Sequence, residues 1–243
     1  MQSKKTFRNI NCMHLKSARN VLLVLLMLVG AFYVYTTYLP AWFSRQNEVT
    51  FDLLQQGGYY DRGEETGVYE GQSVVSYEIP ESQNLAMVLA ENTGVDKRVE
   101  VDLTNQKVYA FEGSNKVFEF IVSTGKWGRT PTGVFSIQYK TRAQKMSGGN
   151  RAINTYYYLP NVPFVQFFGN SEIPWSRGFS LHGTYWHDKF GTPQSHGCIN
   201  MKTADAETLY YWTSPSVTGK GVVKVTNANE GTPVIIYGTT PVG

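Results

Sequence analysis

"RVEVDLTNQKVYAFEGSNKVFEFIVSTG", Arg98 to Gly125, runs through three short alternating apolar and polar segments broken by turn residues. "TNQ" separates the first two and "GSN" the next, the pattern of an antiparallel meander. Downstream, "TGVFSIQY", "NTYYYLP", "PFVQFF", "FSLHG", "GVVKVT" and "PVIIYG" read as further strands. One helix interrupts them. "TADAETLYYWT" is predicted to start after Thr203 as N-cap, with Asp205 and Glu207 near the positive end of its dipole. With 23 Gly, 16 Tyr and 13 Phe, the class is mainly β with a single helix.

The 243 residues, 42% of them hydrophobic, suffice for one main domain. Of 22 Lys and Arg against 19 Asp and Glu, five (Lys4, Lys5, Arg8, Lys16, Arg19) fall in residues 1–20, and the rest of the chain is close to neutral. A nucleic-acid partner, which needs a basic face on the folded domain, is therefore not expected. From Val21 to Leu39 no side chain is charged. At about 1.5 Å per residue that run spans roughly 28 Å, the thickness of a bilayer's hydrocarbon core. The expected organisation is a basic N-terminus (1–20), a transmembrane anchor (21–39), a membrane-proximal stalk or linker (40–96) and the main domain (97–238). Basic residues precede the span, so the N-terminus is expected in the cytoplasm and the domain outside the cell membrane. Two readings stay open for 40–96, a stalk ending in a short helix at "SQNLAMVLAENTG" or a strand or two of the main domain.

The chemistry concentrates in "SLHGTYWHDKFGTPQSHGCINM", Ser180 to Met201, which holds three of the four histidines and one of the two cysteines. Cys12 lies before the anchor, which leaves Cys198 without an intramolecular partner outside. A free thiol is mostly protonated at neutral pH, so a nucleophilic Cys198 needs an imidazole beside it. His196, two residues away, shares a face with it in extended chain. His182 reaches it only if "FSLHG" lies next to the Cys loop. Gly197 permits close backbone approach, and successive amides through "HGC" can converge as an oxyanion hole. Three other readings compete: Cys198 as a buried small hydrophobe, His187 as a surface histidine of the loop "YWHDKF", and a zinc site of His182, His187, His196 and Cys198. The aromatic stretch "INTYYYLPNVPFVQFFGNSEIPW" reads either as a groove lining or as a core strand pair.

"SLHGT" followed by "SHGCINM", with the upstream "STGK...TPTG.F.I" segment and the closing "GTPVIIYG", resembles the L,D-transpeptidase (YkuD-type) catalytic domain. The resemblance implies a β-sandwich or barrel with one helix after the Cys loop, here preceded by an N-terminal transmembrane helix. It also implies a cysteine acyltransferase that needs no cofactor or metal and is a carbapenem target. Cys198 matches the family's nucleophile, His182 its base and Gly183 the residue whose carbonyl orients that base. His196 and Gly197 match the oxyanion loop. Ser195 and Asn200 fall where the loop and substrate are supported, and Tyr185 and Trp186 are expected beside the substrate. Aromatic side chains around Trp175 and Trp186 are a candidate lid. Many members carry Arg where Asn200 stands. The implied partners are peptidoglycan stem peptides, donor and acceptor, joined in 3-3 crosslinks with loss of D-Ala. The alternatives are an L,D-carboxypeptidase, a non-catalytic wall-binding module and a zinc hydrolase.

Overall fold

In the opening meander every second side chain turns inward. The structure, a computed structural model, describes residues 20, 23–33, 60–79, 96–217, 221–227 and 230–241. Strand β3 (Lys97–Asp102) buries Val99 and Val101, and β4 (Lys107–Glu112) buries Val108 and Ala110, all at 0% exposure. Each such valine contributes about 1.5–3 kcal/mol relative to leaving it in water. The turn between them is fixed by Asp102, whose Oδ1 accepts from the amides of Thr104 (2.9 Å) and Asn105 (3.0 Å). Strand β5 (Asn115–Ser123) completes the meander and lays Phe118 and Phe120 on the core edge.

Two long strands follow. β6 (Gly133–Gly148) and β7 (Tyr157–Gly169) pair antiparallel along nearly their whole length, with register shifts at Ile137/Tyr139 and Gln144/Met146. The expected "TGVFSIQY" thus continues well past Tyr139, and "NTYYYLP" and "PFVQFF" merge into one strand. The physical reason is that Lys140, Thr141 and Gln144, polar residues that interrupt the apolar pattern, are buried. β8 (Ser180–Thr184), β9 (Ile199–Lys202), β10 (Val222–Lys224) and β11 (Pro233–Tyr237) complete the run. The order β6-β11-β3-β4-β5-β9-β8-β7 closes on itself through the β6–β7 pairing, so the sheet is a barrel. Its interior holds Val122, Phe135, Ile137, Phe164, Leu181 and Ile199, among others.

Helix α1 (Thr203–Trp212) follows β9 directly and buries Ala206, Leu209, Tyr210 and Trp212. Its N-cap is Lys202 rather than Thr203, and Lys202 makes no side-chain capping bond. The Thr203 hydroxyl is drawn instead to the Thr184 carbonyl, 3.5 Å away on β8. That contact ties the helix start to the strand carrying His182.

Of the two readings of 40–96, strand addition holds for its described middle. β1 (Thr66–Tyr69) and β2 (Gln72–Val75) form a hairpin, and β1 pairs with β7 through Val68↔Tyr158 and Tyr69↔Tyr157. The expected helix in 82–94 lies outside the described residues. So do the basic residues of 1–19 and part of the expected anchor. Residues 23–33 are helical with exposed side chains, and among the described residues no helix is long and apolar enough to cross a membrane. Residues 1–47 and 48–243 form separate units.

Candidate active site

Strand pairing decides whether His182 meets Cys198. β8 runs parallel to β9 with Leu181 opposite Ile199 and His182 opposite Asn200. Alternate residues share a sheet face, so Ser180 and His182 on one strand lie on the side of Cys198 and Asn200 on the other. The Ser180 hydroxyl donates to Cys198 Sγ at 3.5 Å, which fixes that register at the thiol itself. His182, Ser195, His196, Cys198 and Asn200 line one groove together with Trp186. Tyr69, Met146, Tyr157, Leu159 and Gln194 complete its walls around about 380 Å³ of empty space, part of which is open solvent.

The His182 ring is oriented by its own strand. Nδ1 lies 3.0 Å from the Gly183 carbonyl oxygen, which can only accept, so Nδ1 carries the proton and Nε2 presents a lone pair. The ring is 2% exposed, and burial pushes its pKa down to about 4 against the opposing Gly183 hydrogen bond. Burial pushes the Cys198 thiol up, opposed by the hydroxyl and amide of Ser180. Burial thus favours the neutral form of both groups.

The Cys loop is held from beneath. Ser195 Oγ donates to the Cys198 carbonyl (2.6 Å) and accepts from the Gly197 amide (3.0 Å). Thr130 Oγ1 donates to the Gly197 carbonyl at 2.8 Å. Gly197 adopts φ +144°, and a Cβ there would sit 2.7 Å from the Phe179 ring, so no larger residue fits. The Gly197 amide, expected among the oxyanion donors, is engaged by Ser195. The amides of His196 and Cys198 remain the donors that could serve there.

A family model describing the L,D-transpeptidase catalytic domain (YkuD) matches residues 96–236. The chain belongs to this family. A candidate L,D-transpeptidase of Bacillus subtilis (strain 168), YciB, is 28% identical over 116 residues, which are 46% of this chain and 58% of that protein. The catalytic domain of the E. faecium L,D-transpeptidase is 27% identical over 58% of this chain and 97% of its own, with a TM-score of 0.41. An L,D-transpeptidase from Mycobacterium smegmatis is 21% identical over 59% of each chain, with a TM-score of 0.46.

Within the L,D-transpeptidase domain three expectations are corrected. His187 is not a surface histidine: Asn200 Nδ2 lies 2.8 Å from its Nε2, and the rings of Tyr69, Trp186 and Phe190 surround it. Tyr69 comes from β1, so the loop sequence alone could not reveal that enclosure. Tyr185 is absent from the groove lining; it packs against a second apolar cluster, built around Leu159, Val162 and Val165, and its hydroxyl donates to the Pro160 carbonyl. Trp175 stacks on Tyr139 at 5.1 Å in the same cluster and is no lid. Among the described residues no group of three or more His, Cys, Asp and Glu could hold a metal ion. The aromatic stretch serves both expected roles, with Tyr157 and Leu159 on the groove and Phe164 and Phe168 in the core.

The depressed histidines have a consequence for stability. An unfolded chain takes up the His182 proton near 6.5, whereas the folded protein resists it until about 4. Between those values the unfolded state binds more protons, so stability is complete above about 6.5 and is lost as pH falls towards 4. His187, also at about 4 through burial first and His182 second, acts in the same direction. Thermal midpoints should fall steeply from pH 7 to 4.5, with up to about 3 kcal/mol of the loss traceable to His182. His182→Asn should flatten this slope; an unchanged slope would contradict the assignment.

Proposed function

We propose that the chain is a peptidoglycan L,D-transpeptidase working from the outer side of a cell membrane, tethered by residues 21–39. One observation carries the reading. His182, with Nδ1 committed to the Gly183 carbonyl, and Cys198 line the same groove, which no fixed charge enters. The uncharged run at 21–39 and the basic residues before it support the tether and its orientation.

His182 Nε2 takes the proton from Cys198 Sγ as the sulfur attacks the carbonyl carbon of the bond between the third residue of a stem tetrapeptide and its terminal D-Ala. The oxygen gains negative charge and is stabilised by the amides of His196 and Cys198. Collapse of this intermediate breaks the C–N bond, and the imidazolium returns its proton to the departing D-Ala amine. A thioester remains on Cys198. The side-chain amine of a third-position diamino acid on a second stem then attacks, His182 takes its proton, and the thiolate leaves and is reprotonated. The product is a 3-3 crosslink. Water in place of the amine would give a tripeptide, the carboxypeptidase outcome. His187 orients Asn200 at the groove floor, where Asn200's amide can meet the substrate backbone.

The test is mass spectrometry of the full-length chain with a disaccharide tetrapeptide and, separately, with a carbapenem. The expected results are a covalent adduct on the peptide containing Cys198 and a crosslinked dimer lighter than two tetrapeptides by D-Ala. Tripeptide alone would assign the carboxypeptidase. Neither adduct nor D-Ala release would refute the cysteine mechanism.

A further inference from the structure

Residues 60–79 precede the matched stretch 96–236, yet they belong to the same folded unit and reach the groove. Their base is built in. Asn161 of β7, 3% exposed, accepts from the Asp61 amide (2.8 Å) and donates to the carbonyls of Asp61 (2.8 Å) and Glu64 (3.3 Å) and to Ser76 Oγ (3.2 Å). It thereby fastens the chain on both sides of the β1–β2 hairpin. The Tyr158 hydroxyl donates to both carboxylate oxygens of Glu64 at 2.7 Å. Gly67 approaches β7 so closely that a Cβ would lie 2.6 Å from the Tyr158 carbonyl oxygen.

The hairpin's other end touches the opposite bank. Tyr69 closes β1 with its ring on the groove, 6.3 Å from the Trp186 ring and 6.1 Å from that of His187. Glu70 takes φ +47°, an uncommon conformation for a non-glycine residue, and its Oε1 lies 3.4 Å from Lys126 Nζ. The Lys126 amide in turn donates to the Ser195 carbonyl at 3.0 Å. The hairpin therefore runs along the edge of β7, where the Glu70 amide donates to the Tyr156 carbonyl (3.1 Å), and its tip reaches Lys126, whose amide holds the loop that carries Cys198.

We propose that the β1–β2 hairpin is the wall that grips the stem peptide, with Tyr69 contacting the substrate and the Glu70–Lys126 bridge latching the wall to the catalytic loop. The proposal rests on the transpeptidase reading for the identity of the peptide. Beside Tyr69 stand Met146, Tyr157 and Leu159, and no lining side chain carries a fixed charge. Such a slot suits the aliphatic stem of the third residue, whose charged end must project beyond it because burying an unpaired charge is costly. Gln194 and Asn200 supply amides for the peptide backbone. The latch is between side chains 30% and 37% exposed, so salt screens it and it opens readily to admit a polymer strand.

The experiment compares wild type, Tyr69→Ala, Glu70→Gln and Lys126→Met as full-length chains. It measures KM and kcat with disaccharide tetrapeptide, the Kd of the same ligand after Cys198 has been replaced by Ala, and the thermal midpoint. Tyr69→Ala should raise KM and Kd about tenfold, the scale expected from losing one buried aromatic contact. Wild type should show KM rising with salt; Glu70→Gln and Lys126→Met should each raise KM about threefold and abolish that rise. Unchanged KM and Kd in Tyr69→Ala at an unchanged midpoint would overturn the wall. If Tyr69→Ala lowers the midpoint, the latch variants decide, and salt dependence equal to wild type in both overturns the proposal. Absence of turnover in wild type with Kd still sensitive to Tyr69 would remove the transferase reading and leave the wall standing.

Discussion

Cys198→Ala is expected to lower turnover by about five to six orders of magnitude, the scale of removing an enzyme's only nucleophile. No neighbour can replace it. The Ser180 hydroxyl points at the sulfur, and the Ser195 hydroxyl is committed to the Cys198 carbonyl and the Gly197 amide. An imidazole whose pKa burial has pushed down to about 4 is too weak a base to activate an ordinary hydroxyl. A thiol gives up its proton far more easily than a hydroxyl, so sulfur rather than oxygen is expected to be required at this position. Cys198→Ser should therefore be nearly as inactive as Cys198→Ala. Neither change should move stability by more than about 1 kcal/mol, because the sulfur's contacts, 3.4 Å to the Gly178 carbonyl and 3.5 Å from Ser180 Oγ, are weak hydrogen bonds. The measurements are crosslinked product per unit time, covalent adduct mass and thermal midpoint. Turnover above about 1% of wild type in Cys198→Ala would place the nucleophile elsewhere.

What could be read without coordinates divides along the range of the interactions. The meander β3–β4–β5 was legible because its pairing is local and Val99, Val101, Val108 and Ala110 keep a strict period of two. The helix after the Cys loop was legible as an element, although its cap was not, since the Thr203 hydroxyl answers to Thr184 on a distant strand. The condition set for His182, that its strand lie beside the Cys loop, is met by a parallel pairing across a connection of more than a dozen residues, which periodicity does not encode. Ser180 opposite Cys198 follows from the same pairing and was passed over for the same reason. His187 was misread because its enclosure comes from Tyr69, more than a hundred residues upstream. β6 runs past the expected "TGVFSIQY" because Lys140, Thr141 and Gln144, which break the apolar alternation, are buried.

That lysine sets the second large expectation. Lys140→Met should cost about 3–5 kcal/mol of stability, lowering the thermal midpoint by roughly 8–15 °C for a unit of this size. Lys140 is 0% exposed, and its Nζ donates to the carbonyls of Tyr210, Thr213 (2.8 Å) and Pro215 (3.1 Å), with the Tyr210 ring centroid 4.6 Å away. These carbonyls lie at and beyond the C-terminal end of α1, where the helix dipole favours a cation and the last carbonyls lack helical partners. Burial pushes the lysine's pKa well down, and Lys97 adds repulsion. Three acceptors for three N–H bonds oppose that, because a neutral amine would have to aim its lone pair at a carbonyl oxygen. Methionine fills the space and removes the ammonium donor from all three carbonyls; that of Tyr210 keeps a further one, the Thr213 hydroxyl at 3.4 Å. The folded state holds this proton less tightly than the unfolded chain does, so wild-type stability should rise with pH from the depressed folded value towards about 10.4, and Lys140→Met should lose that rise. A midpoint within about 2 °C of wild type would show that water can replace the ammonium. The change would also reach the site: α1 packs on β8 and β9, the strands that carry His182 and follow Cys198, so freeing its far end should soften the support beneath the catalytic pair. Turnover should then decline with temperature well before the global midpoint, a gap that loss of stability alone would not produce.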